Sequence, residues 1–419
     1  MPSPHRIPVS LWIRAAALWV AVGLCVISPR AGTGTTPPEG IRVGRWILAP
    51  FLQTGFTHDD NVSRSFVGDP DDITSLTFGL GANLPIRNSL LQLKYEGSRV
   101  SYQKQTFQRD FDQEFGADLV FNFSSRDQLF VRQQFVRGFS DLAVFDEGGE
   151  LVFEGEPYNF NRVEVELARG VPGQQGYSIR IARSDLNFQG TEAVPFFDYR
   201  GFDSSFEYRQ PLPADKWLIA YFQSRKFNHY EPNGQGAVGV PIRKEETESF
   251  QIGIRGFLGR NQPFVLRLGV LEFDYRLVET SFSGVVGYGQ WQVNLGGKST
   301  VNLSFDRRPL PSGFPTYYLI NEFRADFSRE WMVGSDLGLA LLLAQNRYGD
   351  TVNIFDGTTD CRDFVREDRR VGVQAYGEWR VHERIGLRLS AGHVRRSSNC
   401  AISEYDATVI SSGFSFGWF

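Results

Sequence analysis

The sequence predicts an all-β protein, namely a transmembrane antiparallel up-and-down β-barrel of about 18 strands preceded by a signal peptide. Three observations predict this fold. Apolar and polar residues alternate in short segments, the connections between those segments alternate in length, and the sequence ends on aromatic residues. Composition agrees, because 36 Phe, 15 Tyr and 43 Gly stand against only 2 Met, and such a composition favours strands over packed helices.

The first 31 residues differ from the rest of the chain. Basic residues precede the apolar run "AAALWVAVGLCVIS", which is the order of a secretory signal peptide. A membrane anchor fits less well because the run is short, and lipidation of Cys25 fits less well because Leu24 precedes it. We expect a signal peptide at 1–31, a short periplasmic segment at 32–44 and an outer-membrane barrel at 45–419.

Period-two alternation is clearest in "SLTFGLGANL", residues 75–84. Leu76, Phe78 and Leu80 fall on one face of a predicted strand, and small or polar residues fall on the other. Similar segments recur to the end of the sequence, for example "NRVEVEL", "SFQIGIRG" and "IGLRLSAG". A strand of a membrane barrel has this pattern, since one face contacts lipid and the other a wet interior.

Connection length separates the barrel from its alternatives. Short connections such as 85–89 and 380–384 alternate with longer polar ones such as 138–160 and 228–246. Outer-membrane barrels have short periplasmic turns and longer external loops. A β-sandwich does not explain this one-sided difference, and a solenoid requires a constant repeat that the sequence lacks.

Closure of the barrel accounts for the aromatic end of the chain. Because backbone groups in a bilayer must be paired, the last strand must pair with the first, near "RWILAPFLQTGF". We expect an aromatic girdle at the periplasmic strand ends, formed by Phe123, Tyr177, Tyr208, Trp217, Phe264, Phe327, Trp331 and Trp379.

The stretch "APFLQTGFTHDDNVSRS" contains Asp60-Asn61-Val62 and is followed by the strand "LTFGLGANL". With these motifs the chain resembles the β-barrel porin 2 family of bacterial outer-membrane proteins. The resemblance implies a link to exopolysaccharide production or export. Phe419 is similar to the terminal aromatic signal recognised by the outer-membrane assembly machinery. Trp418, Phe416 and Phe414 lie in the opposite register from that signal, which predicts a bulge in the last strand.

The candidate functional residues are charged side chains on the face expected to line the pore. Rings of such side chains set the selectivity of channels. Alternatively, charges of opposite sign pair across neighbouring strands and stiffen the wall. Strand phase selects Arg132, Glu164, Glu166, Arg180, Asp203, Glu207, Arg255, Arg267, Arg324, Arg370 and Arg388.

Three other features concern a disulfide, a metal site and a catalytic pair. Cys361 and Cys400, both in predicted external loops, are expected to form a disulfide. The Asp-rich loop 59–72 could supply oxygen ligands for Ca²⁺, but it lacks EF-hand spacing. His58 beside Asp59 and Asp60 could form a catalytic Asp–His pair, although a polar external loop explains these residues better. No common catalytic motif occurs, so we expect no enzyme, cofactor or metal.

We therefore expect a passive pore or conduit in the outer membrane, for small hydrophilic solutes or exopolysaccharide. The alternatives are a non-conducting structural or adhesive barrel and, third, an outer-membrane hydrolase. Expected partners are the bilayer, its lipopolysaccharide, the assembly machinery and polysaccharide. A net charge of −4 gives no indication of nucleic-acid binding.

Overall fold

A computed structural model describes residues 40–62, 68–104, 111–139, 157–170, 175–188, 198–230, 243–259, 262–275, 280–311, 317–351 and 365–418. Almost all of these residues lie in strands. Within the described ranges, no helix is long and apolar enough to cross a membrane. The expected signal peptide at 1–31 lies outside them.

The strands are named in chain order. They are β1 (Ile41–Val43), β2 (Trp46–Asp59), β3 (Asp71–Ile86), β4 (Ser89–Tyr102), β5 (Asp112–Asn122), β6 (Asp127–Phe139), β7 (Pro157–Arg169), β8 (Gly176–Phe188), β9 (Asp198–Leu212), β10 (Lys216–Tyr230), β11 (Arg243–Leu258), β12 (Gln262–Tyr275), β13 (Thr280–Asn294), β14 (Ser299–Pro311), β15 (Tyr317–Met332), β16 (Ser335–Thr351), β17 (Val365–His382), β18 (Ile385–Ser398) and β19 (Tyr405–Gly417). A short 3₁₀ turn, Ala401–Ser403, precedes β19.

Strands β2 to β19 form a closed antiparallel barrel of 18 strands, as the alternation predicts. Each strand pairs with its neighbours in sequence, and β19 pairs with β2 from Val409↔Asp59 to Gly417↔Phe51. Closure leaves no sheet edge in the bilayer. The sequence did not predict β1, which folds back on β2 as a small hairpin from Ile41↔Leu48 to Val43↔Trp46.

The outer wall carries a continuous apolar belt. Leu76, Phe78 and Leu80 of β3 are 43%, 40% and 41% exposed, while the residues between them face inward. The same alternation exposes Val163 and Val165 of β7, and it recurs around the barrel. Large apolar side chains exposed in such numbers require a non-aqueous surrounding. The belt is therefore the lipid-facing surface of the barrel.

Tight connections lie at one end of the barrel, called here the turn side. Arg87 in the β3–β4 turn has φ 53°, and Gly334 in the β15–β16 turn has φ 74°; such positive angles suit two-residue hairpin turns. The longest connections, 140–156, 231–242 and 352–364, join strands at the other end, the loop side. This arrangement agrees with the prediction that short and long connections lie at opposite ends of the barrel.

Aromatic residues follow the turn side of the outer wall, as expected. Phe123, Phe327 and Trp331 are exposed there, at 58%, 39% and 67%. Trp217 was expected in this girdle, but that prediction is wrong. It pairs with the inward-facing Arg255 and follows the inner register of β10, because Leu218, next in sequence, is the exposed residue.

The end of the chain follows the same alternation. Phe414 and Phe416 face outward and are 39% and 45% exposed. The register of β19 is regular through Gly417, so the predicted bulge is absent from Tyr405–Gly417. Instead Gly417 turns the chain at φ 146°, and Trp418 packs under the Arg384 guanidinium at 4.2 Å from the ring centroid. Phe419 lies outside the described residues.

One pair of strands separates before its loop-side end. The β13–β14 ladder stops at Gly287↔Arg307, whereas β14 stays paired with β15 through Pro311. Proline has no N–H to donate. The ladder to β15 is intact. The N–H donors that Pro309 and Pro311 lack are therefore the ones that would point toward β13. Tyr317 fills this region with its ring against Phe273 and Phe282, at 5.8 and 5.5 Å between centroids.

Many inward-facing residues near the loop side are apolar and buried, and we call them the apolar collar. They form four clusters spaced around the wall, on β7–β8, β12–β13, β15–β16 and β18–β19. These are Tyr158, Leu186 and Phe188; Leu271, Phe273 and Val286; Tyr318, Ile320 and Tyr348; and Val394, Tyr405 and Ala407. The buried Arg366 and Arg396 lie over Tyr348 and Tyr405, at 4.7 and 5.9 Å from the ring centroids, so this packed zone also contains buried charges.

Candidate pore lining

The predicted pore-lining residues all lie on the inward-facing register. Arg132 pairs with Asp118 and Glu164 across the sheet, and Glu166 pairs with Arg180. Their neighbours in sequence are the exposed apolar residues of the belt. The same argument places Asp203, Glu207, Arg255, Arg267, Arg324, Arg370 and Arg388 inside. That these side chains line a conducting pore stays a prediction.

The first part of the network crosses β5 to β9. The Arg132 Nε donates to Asp118 Oδ1 at 2.8 Å. Arg180 lies between two acids, with Nη1 4.0 Å from Glu164 Oε2 and Nη2 3.7 Å from Asp203 Oδ1. Because the partners come from neighbouring strands, the strand register rather than a loop fixes each position.

Two buried carboxylates continue the network onto β10 and β11. Asp203 is 6% exposed, and its Oδ2 accepts a hydrogen bond from Arg225 Nε at 3.2 Å. Glu207 is 7% exposed, and its Oε1 lies 3.5 Å from Arg255 Nη1. Buried carboxylates need such partners, because an isolated buried charge is strongly destabilising.

Arg267 on β12 is held by aromatic rings. Its guanidinium carbon lies 4.8 Å from the Tyr221 ring centroid and 5.0 Å from that of Tyr288. Arginine stacks readily on such faces while keeping its charge. The two tyrosines therefore hold a cation on the inner wall, and sequence phase alone did not identify them.

The opposite wall carries a second charged group. Arg324 Nε donates to Glu322 Oε1 at 2.6 Å, and Arg370 Nη2 lies 3.4 Å from Glu322 Oε2. Further round, Arg388 Nη2 lies 2.9 Å from Glu378 Oε1. Opposite signs thus pair across strands, as the second hypothesis predicts, and the paired charges still face the interior; their role in selectivity stays a prediction.

Exposure distinguishes this charged zone from the apolar collar. The side chains of Arg132, Arg324 and Arg225 are 53%, 49% and 43% exposed although they face inward. The collar residues nearer the loop side are almost fully buried. The barrel therefore encloses an accessible, polar interior at the level of the belt, with a more buried zone, which includes the apolar collar, on its loop side.

Sequence reasoning missed several inward charges. Lys94 and Glu96 form an ion pair at 2.8 Å, and Asp326 accepts a hydrogen bond from the Tyr376 hydroxyl at 3.1 Å. Strand phase could have found them, because Lys94 and Glu96 alternate with the outward-facing Leu93 and Tyr95, and Asp326 shares the parity of Arg324. A buried group on β17–β18, in which Asp368 contacts both Arg366 and Arg396, was also missed. Its burial depends on the collar and has no sequence signal.

The described part of the Asp-rich segment forms a structural junction between strands. Asp71 is fully buried, and its Oδ1 accepts from the backbone N–H groups of Gln103 and Lys104, each at 3.0 Å. Asn61 N–H donates to Asp59 Oδ1 at 3.0 Å. Among described residues, no group of three or more acidic, His or Cys side chains could hold a metal ion.

The remaining candidates have the following positions. His58 is exposed on the outer wall and contacts Asp72 at 2.8 Å, rather than Asp59 or Asp60 as the sequence suggested. Cys400 is buried and disulfide-bonded. Its predicted partner Cys361 lies outside the described residues, so the pairing stays a prediction.

Comparisons with known proteins identify the architecture. No family model and no curated protein matches the chain. The solved structure of OccK3 (OpdO) from Pseudomonas aeruginosa aligns with 89% of this chain and 96% of its own, at 11% identity and a TM-score of 0.50. OpdK from the same organism aligns with 88% and 99% at 10% identity and a TM-score of 0.48. The siderophore receptor PirA, also from that organism, aligns with 91% and 81% at 12% identity and 0.44.

At these identities the comparison with OccK3 shows the fold alone. The closed 18-stranded sheet and its lipid-facing belt agree with that fold. The chain is a multi-pass β-barrel of the outer membrane, and in barrels of this class the turns face the periplasm and the loops face the exterior.

Proposed function

We propose that this barrel is a passive channel for small hydrophilic solutes. The observation that carries the proposal is the set of inward charges that stay accessible at the level of the lipid belt, above all Arg132, Arg225 and Arg324. A barrel of 16–18 strands is wide enough for an aqueous channel. A core filled with side chains would bury these groups, as the collar residues are buried.

The balance of signs in the lining supports weak ion selectivity. Each accessible arginine has an acidic neighbour within 4 Å, namely Asp118 for Arg132, Asp203 for Arg225 and Glu322 for Arg324. Paired charges partly cancel in the field that a permeating ion experiences. Charged solutes of both signs are therefore expected to pass.

The likeness to OccK3 concerns the fold and does not identify a solute. We also propose kinship with the β-barrel porin 2 family, on the motif Asp60-Asn61-Val62. That kinship makes exopolysaccharide, or oligosaccharides derived from it, a candidate solute. Concentration-dependent block of the ion current by oligosaccharides is the corresponding measurement.

Single-channel recording in planar bilayers tests the channel proposal. Arg132→Glu combined with Arg324→Glu should raise the ratio of K⁺ to Cl⁻ permeability by roughly twofold or more, because the inner wall becomes acidic. Arg183→Glu is the matched control, since Arg183 is 68% exposed on the outer wall of the barrel. Its permeability ratio should equal that of the unchanged protein.

The alternative function is a non-conducting structural or surface barrel, and the apolar collar favours it. If the folded protein gives no conductance steps, the channel proposal is rejected and this alternative is favoured. If conductance is present but the double variant and the control have the same permeability ratio, the charged zone does not line the conducting path.

A further inference from the structure

Arginines cluster on the outer wall at the loop-side margin of the lipid belt. Arg347 lies on β16, Arg369 on β17 and Arg395 on β18. Gln345 is the direct partner of Arg369, and Ser397 is its partner on the other side. Arg347 and Arg395 are each two residues from those partners. Both are thus diagonal neighbours of Arg369, with Cα atoms roughly 7–8 Å apart.

Their side chains point away from the interior. In β17, Arg366 and Asp368 are buried on the inner face, whereas Arg369 is exposed on the outer one. The Arg347 side chain is 67% exposed, and Arg395 is exposed beside the buried Arg396. We call Arg347, Arg369 and Arg395 the arginine patch.

Hydrogen-bond donors extend the arginine patch across the sheet. Asn321 and Gln345 are direct partners on β15 and β16, and Gln345 is the direct partner of Arg369 on β17. Arg307 Nη1 donates to Asn321 Oδ1 at 2.6 Å, which leaves the amide nitrogen of Asn321 to serve as a donor toward a ligand. The arginines and amides together present a surface of donors.

The acids near the arginine patch do not cancel its charge. Glu367 contacts Arg347 at 3.4 Å between Oε1 and Nε. Asp406 is the cross-strand partner of Arg395, but its carboxylate lies 3.1 Å from His393 Nε2. The exposed Glu404 accepts a hydrogen bond from the Ser398 N–H at 3.3 Å and also lies near the patch. With Arg307 included, four arginines stand against these three carboxylates. The local surface therefore has a net positive charge.

The depth of the arginine patch in the membrane determines which part of a lipid molecule it contacts. Arg395 is the direct partner of Val371, which is 50% exposed and belongs to the lipid belt. Arg369 and Arg347 follow in the direction of the loops. A charge is strongly unfavourable at the middle of the lipid face, but it is tolerated near the interface. This boundary is the depth of the head groups of the outer leaflet.

We propose that the arginine patch binds the phosphorylated head group of an outer-leaflet glycolipid, of the lipid A type. The planar guanidinium donates two parallel hydrogen bonds to phosphate oxygens, and side-chain amides suit the hydroxyl groups of a sugar. The acyl chains of the same molecule lie against Val371 and Leu343, which are 50% and 41% exposed. The inference is independent of whether the interior conducts.

Binding of purified lipid to the full-length barrel in detergent tests this proposal. The probes are bisphosphorylated lipid A, the same lipid without its phosphates, and phosphatidylglycerol. The unchanged barrel should bind bisphosphorylated lipid A most tightly, and Arg347→Gln/Arg369→Gln/Arg395→Gln should weaken that binding by about tenfold or more. The control Arg169→Gln/Arg329→Gln replaces exposed turn-side arginines of the outer wall and should bind as the unchanged barrel does.

The shift in gel mobility on heating checks that each variant is folded. If the triple variant does not fold, Arg369→Gln and Arg369→Lys replace it, and the lysine variant should retain part of the affinity. Equal binding of dephosphorylated lipid, equal binding of phosphatidylglycerol, full binding by the patch variants or an equal loss in the control would each overturn the proposal.

Discussion

Asp60 and Asn61 strengthen the seam where the barrel closes. The Asp60 backbone N–H donates to the Thr408 carbonyl at 3.2 Å, and its carboxylate accepts from the Thr408 N–H at 2.6 Å. The Asn61 amide donates to the Asp406 carbonyl at 2.9 Å. These bonds extend the β2–β19 ladder beyond Asp59, so the motif on which the family resemblance rests has a structural role here.

Asn61→Ala should destabilise the barrel by about 1–3 kcal/mol, because the buried Asn61 loses its bond to the seam. The temperature at which the gel-mobility shift occurs is the measurement. Asn187→Ala is the control, since Asn187 is exposed at the end of β8, and it should leave that temperature unchanged. Equal temperatures for Asn61→Ala and the unchanged protein would show that the side-chain bond is unimportant.

The disulfide partner of Cys400 is predicted to be Cys361. If Cys361 is that partner, the disulfide closes a loop of about 39 residues and stabilises the fold by roughly 4 kcal/mol in the chain-entropy model. Alkylation of unreduced, denatured protein should label neither cysteine, and Cys361→Ser should expose one reactive thiol. Two reactive thiols in the unchanged protein would reject the pairing.

Among the elements, β14 shows how two residues alter a sheet. Pro309→Thr with Pro311→Thr restores two donors toward β13, and each backbone bond contributes about 0.5–1.5 kcal/mol. We expect the ladder to extend past Gly287 and the Val285 amide to exchange hydrogen more slowly. Pro213→Thr, in the β9–β10 turn, changes a proline outside any ladder and should not affect this rate. Unchanged exchange at Val285 would mean that packing at Tyr317 keeps the strands apart.

The phase of β18 provides a matched pair of substitutions. Leu387 is 43% exposed on the lipid face, and Arg388 points inward to Glu378. Leu387→Arg should lower the yield of assembled barrel, although by less than a midplane charge would, because Leu387 faces lipid beside Trp379 near the turn-side interface. Arg388→Glu should fold. Recovery of heat-modifiable barrel from membranes measures both. The reverse outcome would mean that the faces of β18 are assigned incorrectly.

The strands could be predicted because alternation is a local property. Leu76, Phe78 and Leu80 already show which face of β3 meets lipid, and the same phase placed Arg255 and Arg388 inside. Contacts between distant residues have no such signal. Trp217 was misplaced because aromatic residues suit both the girdle and the inner wall. The two prolines of β14 could have revealed its interrupted ladder.

For the whole molecule, the interior divides into two zones along the barrel axis. Charged residues such as Arg132 and Arg324 remain accessible at the level of the belt, while the collar residues near the loop side are buried. Strand phase predicted which residues face inward, but it could not predict this division. Burial of Tyr318 and Tyr348, each 2% exposed, depends on the three-dimensional arrangement of the inner face.

The seam between β19 and β2 also has a consequence for the order of events during folding. The Asn61–Asp406 bond joins residues 345 positions apart, so the two edges of the sheet belong to the first and last parts of the barrel to be synthesised. Contacts this distant in sequence form late. A chain truncated before Tyr405 would lose the β18–β19 hairpin and leave β18 and β2 as two open edges in the bilayer, where unpaired backbone groups are strongly unfavourable. Pairing of Tyr405–Gly417 with β2 is therefore required before the barrel is closed in the bilayer.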